Sequence, residues 1–245
     1  MINARSLRWI LATAALLATA TPGQARPPAA AAKIGSFDFY LLSLSIAPTF
    51  CAISPDHQTM QECQQLTEAA FEQTPLTVHG LWPNRVGVSV NLQPHDCAGP
   101  PLGTLSDGLQ ADLRRYMPGG EELEDHEWTK HGKCSGLSPE AYFSTIVSLA
   151  RHVNDTIGAV MKNRGMLGQQ LHITDLLLAV QAKDPALAQA IVVDCAHPRG
   201  GGGAMVEEIR IVLSKDLHPK PASSVRMGHN AGCPAGAGLV PKVKS

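Results

Sequence analysis

Six cysteines constrain the fold of this chain more than any other feature of its sequence. Their number is even, and no two of them form a C-x-x-C pair of the kind that binds zinc. We therefore expect three disulfides and an oxidising compartment, with each bridge contributing roughly 2–4 kcal/mol by restricting the unfolded chain. Spacing alone allows many pairings, of which sequential pairing is the simplest. The six residues are Cys51, Cys63, Cys97, Cys134, Cys195 and Cys233.

The N-terminal residues indicate export. Arg5 and Arg8 precede an apolar run at 9–20, and small residues follow, with cleavage predicted after Ala20 or Ala25. This is the layout of a secretory signal peptide. The run is shorter than a comfortable membrane span, so a retained N-terminal anchor is the weaker interpretation.

We expect a signal peptide at 1–25, a loose lead-in at 26–35 and one secreted or periplasmic domain at 36–245. The length of that domain suits a single core. Loss of Arg5 and Arg8 lowers the basic count from 20 to 18 against 21 acidic residues, so the net charge becomes −3. A net negative charge does not favour non-specific binding to nucleic acid, so any binding of RNA must depend on a local group of residues.

The distribution of apolar residues predicts an α+β fold with a mainly antiparallel central sheet flanked by helices, in a single disulfide-bonded domain. Ser138 and Pro139 form a good helix start, as cap and first helical residue. The glycine-rich stretch at 199–203 lacks the Gly-Lys-Ser/Thr of a phosphate-binding loop and favours a hairpin loop. The predicted elements are strands at 36–45 and 76–81, helices at 106–117, from 139 onward and within 174–190, and strands at 190–195 and 206–213.

The densest polar cluster is EELEDHEWTKHGKC at 121–134. His126 and His131 are five residues apart, so a uniform α-helix would point them about 140° apart. They do not have the i, i+4 spacing of zinc-protease histidines, and we predict no metal or other cofactor. The same helix would pair His126 with Lys130, and Glu127 with His131. We expect a cation-rich row that holds a phosphate, and a carboxylate that raises the pKa of His131.

A second histidine is needed, because one imidazole cannot act as base and acid in the same step. His79 is the best candidate, since it lies at the end of a predicted strand and is followed by Gly80, which lets the backbone approach a ligand. Beyond the signal peptide the chain has only Trp82 and Trp128, and both lie in the two candidate segments. We interpret Trp128 as a core residue and Trp82 as a base-stacking surface, worth ~1–3 kcal/mol per base.

The segments LTVHGLWP (76–83) and LEDHEWTKHGKC (123–134) resemble the two active-site signatures of the ribonuclease T(2) family of acid ribonucleases, which includes the plant S-ribonucleases. The segment FDFYLLSLSIAPTFC (37–51) is similar to the first strand of that family, whereas the C-terminal part of the chain resembles it only loosely. The resemblance also implies the disulfide pairs Cys97–Cys134, Cys195–Cys233 and Cys51–Cys63.

The resemblance implies metal-independent transphosphorylation of single-stranded RNA to 2′,3′-cyclic phosphates, which are then hydrolysed to 3′-phosphates. Some relatives have aspartate at position 84, so Asn84 leaves the base preference open, and we expect low base specificity. The implied roles are general base for His131, general acid for His79, stabilisation of the phosphorane for His126, Glu127 and Lys130, and base contact for Trp82 and Asn84.

The chemistry of the residues agrees with these roles, because an unperturbed histidine pKa near 6.5 lets one ring be neutral while another is charged in mildly acidic water. We expect RNA rather than DNA as the substrate, no membrane association after signal removal, and a monomer. Two alternatives remain open. One is a binding protein on the same fold that has lost catalysis, although all five polar residues are present. The other is a metal-dependent phosphodiesterase, which would carry a cluster of Asp and His ligands.

Overall fold

The computed structural model of the protein describes residues 33–225 and 232–243. The predicted signal peptide at 1–25 and most of the predicted lead-in lie outside the described residues. Within the two described ranges, no helix has the length and apolar character needed to cross a membrane.

A mixed, mostly antiparallel sheet forms the centre of the described chain. The strands are β1 (Phe39–Ser45), β2 (Thr77–Asn84), β3 (Gln169–His172), β4 (Ile191–Ala196), β5 (Met205–Ser214) and β6 (Ala237–Val240). They are ordered β2-β1-β5-β6-β3, and β4 also pairs with β5. The β5–β6 pair is parallel and the other pairs are antiparallel, which confirms the predicted α+β class.

The helices lie mainly between β2 and β4 in the chain, as the sequence predicts. Ser138 caps the helix that begins at Pro139 by accepting a hydrogen bond from the backbone N–H of Ala141, and Asp184 caps the helix that begins at Pro185 in the same way. Two π-helical turns, Trp128–Gly132 and Asn154–Gly158, follow the helices that end at Glu127 and Val153. The helices are α1 (Ala47–Ile53), α2 (Gln61–Gln65), α3 (Glu68–Gln73), α4 (Asp107–Tyr116), α5 (Gly120–Glu127), α6 (Lys133–Ser135), α7 (Pro139–Val153), α8 (Ala159–Asn163), α9 (Ile173–Gln181) and α10 (Pro185–Ala190).

The end of β2 differs from the prediction. The sequence places the end of this strand at Leu81, because Pro83 cannot donate a hydrogen bond to a sheet. The strand instead continues to Asn84, and Pro83 pairs with Tyr40 of β1. Proline is tolerated there because β2 is an edge strand of the sheet. Trp82 is therefore part of the strand.

The two faces of the sheet are buried in different ways. On one face, Tyr40, Leu42 and Leu44 of β1 join the main core, which includes the apolar side of α7. On the other face, Phe39 and Leu41 belong to a small apolar cluster with Val212 and Val225. Beyond that cluster the same face of β1 continues as Ser43 and Ser45, so one end of this face is polar.

Three disulfides connect the described elements, as the cysteine count predicts, and the pairs agree with those implied by the family resemblance. None of the six cysteines is free. The Cys97–Cys134 bridge attaches the loop after β2 to α6, next to the π-helical turn. The pairs are Cys51–Cys63, Cys97–Cys134 and Cys195–Cys233.

Candidate active site

His79 projects from a β-bulge in β2. Ser43 of β1 pairs with Gly80 and Leu44 pairs with Val78, so His79 is the extra residue between them. The sequence places His79 at the end of a strand, which is wrong, because β2 runs five residues further. Bulges re-aim side chains and are frequent next to active sites. The side chain of His79 is 41% exposed and is open to a ligand.

Two carboxylates flank the His79 ring. Its Nδ1 lies 2.8 Å from Oε1 of Glu208 on β5, and its Nε2 lies 3.9 Å from Oε1 of Glu127 at the end of α5. Burial opposes a charge on the ring, but the hydrogen bond and charge of Glu208, together with the charge of Glu127, raise the pKa of His79 above 6.5. The fold therefore favours the imidazolium form of this histidine.

Glu127 is buried against Trp82. Its Oε2 accepts a hydrogen bond of 2.7 Å from Nε1 of Trp82. Gly80 leaves room for this pair, since a Cβ atom at that position would overlap both partners. Burial raises the pKa of Glu127 to about 7, although the charge of His79 and the Trp82 hydrogen bond lower it. Glu127 is therefore largely protonated in mildly acidic solution.

The segment after Glu127 is a π-helical turn, Trp128–Gly132, and not a continuation of the α-helix. Such turns carry i→i+5 hydrogen bonds and are frequent at functional sites. The 140° separation and the i, i+4 rows predicted for this segment assume a uniform α-helix and are wrong here. In particular, Glu127 lies against Trp82 and His79, and the predicted pairing with His131 is wrong.

His131 also lies next to the Trp82 ring, with its ring centroid 5.4 Å from that of Trp82, and the centroid of His79 is 5.2 Å from the same ring. Its Nδ1 is buried and has no hydrogen-bond partner among the described residues. Burial, together with the charges of His126, His79 and Lys130, lowers the pKa of His131 to about 3. The prediction that a carboxylate raises this pKa is wrong, because the neighbours that act on this ring are cationic.

Lys130 contacts a carboxylate that the sequence analysis missed. Its Nζ lies 3.0 Å from Oδ2 of Asp96, and the same oxygen lies 2.6 Å from Nδ1 of His95. The hydrogen bonds from Lys130 and His95 lower the pKa of Asp96. One signal could have found Asp96: the implied Cys97–Cys134 bridge brings the residue before it close to the cationic segment.

The remaining predicted site residues occupy three different environments. His126 is exposed at the end of α5. Asn84 is half-buried and donates a hydrogen bond of 2.9 Å from Nδ2 to the carbonyl of Trp82. Trp128 is buried and donates from Nε1 to the carbonyl of Pro100 at 3.0 Å, which confirms it as a core residue. The stacking role of Trp82 stays a prediction.

A buried ion network stands behind the His79–Glu208 pair. Nη2 and Nε of Arg210 lie 2.6 and 2.8 Å from Oε2 of Glu208, and Nη1 of Arg210 lies 2.5 Å from Oδ2 of Asp194 on β4. Sequence reasoning missed all three residues. Charged residues at 208 and 210, two apart in the largely apolar run of β5, were the available signal, because alternate residues of a strand share a face.

The two candidate segments therefore meet around Trp82, with one histidine biased toward its charged form and the other toward its neutral form. Lys130 and His126 lie on the side of the neutral ring. Among residues 33–225 and 232–243, no group of three or more His, Cys, Asp or Glu side chains is placed to hold a metal ion. Such a pair of imidazoles can give a proton at one position and take one at another.

Comparison with known proteins agrees with the segments that carry this site. The model of the Ribonuclease T2 family matches residues 37–221. Ribonuclease I of Escherichia coli (strain K12) is 33% identical over 155 residues, which cover 51% of this chain and 58% of that protein. The chain spans about half the length of the curated relatives it matches.

Solved structures share the fold. A self-incompatibility-associated ribonuclease of Nicotiana alata has a TM-score of 0.62 and 17% identity, and the match covers 84% of this chain and all 100% of that one. RNase NT, solved in complex with 5′-AMP, has a TM-score of 0.60 and 17% identity, with coverage of 84% and 98%. At these identities the likeness establishes the architecture alone.

Proposed function

The chain belongs to the ribonuclease T2 family, and from this premise we propose that it is an endoribonuclease that cleaves single-stranded RNA by transphosphorylation. The product is a 2′,3′-cyclic phosphate, which is then hydrolysed to a 3′-phosphate. One observation carries this proposal: two histidines that both lie next to Trp82 have pKa values shifted in opposite directions. This is the pairing that a reaction with one proton donor and one proton acceptor requires.

His131 is the general base of the proposed reaction. Its ring is neutral in mildly acidic solution and can accept the proton of the 2′-hydroxyl as that oxygen attacks phosphorus. A pKa of about 3 would make a weak base. A bound phosphodiester supplies a negative charge next to the ring, however, and this charge raises its pKa toward the working range.

His79 is the general acid. The ring is held in its charged form, and its Nε2 can protonate the departing 5′-oxygen. In the second step the roles reverse, because neutral His79 activates water and protonated His131 returns a proton to the 2′-oxygen. Each proton transfer of this kind contributes typically 10²–10⁴-fold to the rate.

Lys130 and His126 stabilise the phosphorane through their positive charges. Glu127 can also lie beside the phosphorane, because a carboxyl group with a pKa of about 7 is neutral in mild acid and does not repel the phosphate. For Lys130 to reach a phosphate it must exchange the carboxylate of Asp96 for a phosphoryl oxygen.

Trp82 and Asn84 are the proposed base contacts, and stacking on an indole favours no particular base, in line with low base specificity. DNA is not a substrate because it lacks the 2′-hydroxyl. We also propose a monomer that acts outside the cytoplasm, without membrane association, after a signal peptide at 1–25 is removed. The three disulfides support the compartment.

Incubation with single-stranded RNA and DNA in EDTA, with identification of the product ends, tests the proposal. RNA should be cut to 2′,3′-cyclic and then 3′-phosphate ends, and DNA should stay intact. DNA cleavage or 5′-phosphate ends would refute the mechanism. Loss of all activity in EDTA would favour a metal-dependent phosphodiesterase, and RNA binding without cleavage would favour a binding protein on this fold.

A further inference from the structure

Neither the sequence motifs nor the proposed roles use Glu208, although it makes the shortest polar contact of His79, at 2.8 Å. Glu208 is buried, and both of its oxygens are occupied. Oε1 faces Nδ1 of His79, while Oε2 accepts hydrogen bonds from Arg210. A buried carboxylate is costly unless it is paired, so this arrangement is specific to the charged form of the group.

The strand register explains how β2 and β5 meet, although β1 separates them. Ser43 of β1 pairs with Gly80 on one side and Arg210 on the other, and Ser45 pairs with Thr77 and Glu208. Serine side chains are short, so they leave open space above β1. The long side chains of the neighbouring strands can then contact each other across it.

The charged groups around His79 distinguish its two carboxylate neighbours. Glu208 stays ionised, because the hydrogen bond to His79 and the charge of Arg210 lower its pKa despite burial. Glu127 is 3.9 Å from the ring, is bonded to Trp82 and is neutral in mild acid. Other titratable groups near this network are Asp194 on β4, Glu207 on β5, and Glu62 on α2, which senses the charge of His79. His57 also lies near it, since its charge acts on both Glu62 and Glu207.

We propose that Glu208 is the positioning residue of His79: it accepts the Nδ1–H hydrogen bond and so fixes Nε2 as the atom that gives its proton to the leaving 5′-oxygen. The inference rests on the proposed function. When Nε2 releases its proton, the ring becomes neutral and Nδ1 keeps its hydrogen and its bond to Glu208. Arg210, held by Asp194, keeps the carboxylate charged and in place throughout the cycle.

The first test is an NMR titration of the His79 imidazole in the intact protein. Glu208→Gln keeps the shape and an acceptor oxygen but removes the charge, so the pKa of His79 should fall by about one unit or more. Glu207→Gln removes the same charge one residue along β5, at a side chain with no hydrogen bond to His79, and should leave the titration nearly unchanged. Equal shifts in both variants, or no shift in Glu208→Gln, would overturn the inference.

The second test needs no variant and therefore does not depend on how Glu208→Gln folds. Above its pKa, neutral His79 in the parent protein should be the Nδ1–H tautomer, which ¹⁵N chemical shifts identify. A predominant Nε2–H tautomer would contradict the inference. Both NMR tests decide the pairing even if RNA is not cleaved, so failure of the proposed function and failure of this inference are distinguishable.

The kinetic test uses two substrates. On RNA, Glu208→Gln should lower kcat about tenfold or more and move the alkaline limb of the pH profile to lower pH. On a substrate with a very good 5′ leaving group, the loss should largely disappear, because that group departs without protonation. A loss that is equal on both substrates would assign Glu208 a purely structural role.

Discussion

The two histidines of the site sit in regions of opposite character. His79 belongs to the sheet, where a bulge aims it between Glu208 and Glu127. His131 belongs to a π-helical turn, where the neighbouring charges are cationic and its Nδ1 has no partner among the described residues. The same side chain is driven toward its charged form in one region and toward its neutral form in the other.

This difference shows that the surroundings, not the residue type, set the protonation state that each ring prefers. The carboxylate of Glu208 reaches His79 across 129 positions of sequence, and only a sheet can bring them together. Two of the cations near His131 come from its own segment, where His126 and Lys130 are five and one residues away. The proposed donor and acceptor are then two side chains of one kind, distinguished by their surroundings.

The largest expected effect comes from removing either ring. His79→Ala and His131→Ala should each lower kcat on RNA by about 10²–10⁴-fold, because each removes a proton-transfer partner. The double variant should lose less than the product of the two effects, since the groups act in one concerted event. Steady-state kinetics on a dinucleotide substrate measures all three variants.

A substrate with a very good 5′ leaving group tells the two regions apart. The His79 variant should recover much of its rate on it, because such a group needs no proton. The His131 variant should not recover, because the 2′-hydroxyl still needs a base. Rescue of the His131 variant instead would reverse the assignment, and full activity in both variants would place the site elsewhere.

The next effect concerns the bridge that holds the region of the π-helical turn. Replacing Cys97 and Cys134 with serine should cost roughly 2–4 kcal/mol of stability, since the bridge spans 37 residues. It should also lower kcat, because the loop that carries Asp96 loses its attachment beside Lys130. Denaturant unfolding and kinetics on the same preparation test this expectation.

The matched control is removal of the Cys51–Cys63 bridge, which spans 12 residues and joins α1 to α2 instead of attaching to the helix after the π-helical turn. This variant should be destabilised with little change in kcat under native conditions. Thiol titration of the unreduced parent protein, after denaturation, should find no free cysteine. Equal kinetic losses in the two bridge variants would show that the Cys97–Cys134 bridge has no special relation to the turn.

The sequence predicts best what is contiguous. The class of fold, the bounds of α4 and α7 and the presence of α9 and α10 follow from local patterns. The disulfide pairs and the gathering of His79, Trp82, Glu127 and His131 at one site follow from the family resemblance of the two motifs. Trp128 is also identified correctly as a core residue, since it is fully buried.

The sequence fails where a side chain depends on strand register or on irregular backbone. β1 lies between the strands of His79 and Glu208, and the two side chains meet because β1 has short serines at the intervening positions. No local sequence pattern predicts this strand order and register. The expected contact of Glu127 with His131 assumes a turn of 3.6 residues, which the π-helical turn replaces. The bulge at His79 likewise cannot be predicted before the register between β1 and β2 is known.

A smaller effect follows from the burial of Glu127. The pKa of this group is about 7 in the folded protein and near 4.5 when unfolded, so its contribution to stability is fully present below 4.5 and is lost as pH rises through 7. Glu127→Gln should remove this loss and keep the hydrogen bond to Trp82. The variant should match the parent at pH 4 and exceed its stability by on the order of 2 kcal/mol at pH 8.

Urea denaturation at the two pH values measures this difference. Glu121→Gln, on the exposed side of the same helix, is the control and should not change the pH dependence. A parent that is as stable as Glu127→Gln at pH 8 would show that Glu127 is ionised without cost in the fold. In that case Glu127 would be a second charged carboxylate beside His79, and ionisation would no longer distinguish it from Glu208.

The smallest effect concerns Asp96, which occupies Lys130 in the absence of RNA. Both side chains are about half exposed, so the pair contributes at most about 1 kcal/mol to stability. Because a phosphate must displace Asp96 to reach Lys130, Asp96→Asn should lower KM for RNA a few-fold at low salt, and the gain should vanish as salt screens the charge. Asp112→Asn removes a carboxylate from another exposed ion pair, with Arg151, and controls for net charge alone. If Asp96→Asn instead lowers kcat while KM is unchanged, Asp96 positions Lys130 for the reaction. A carboxylate would then position a proposed catalytic side chain in the π-helical turn, as Glu208 is proposed to do for His79 in the sheet.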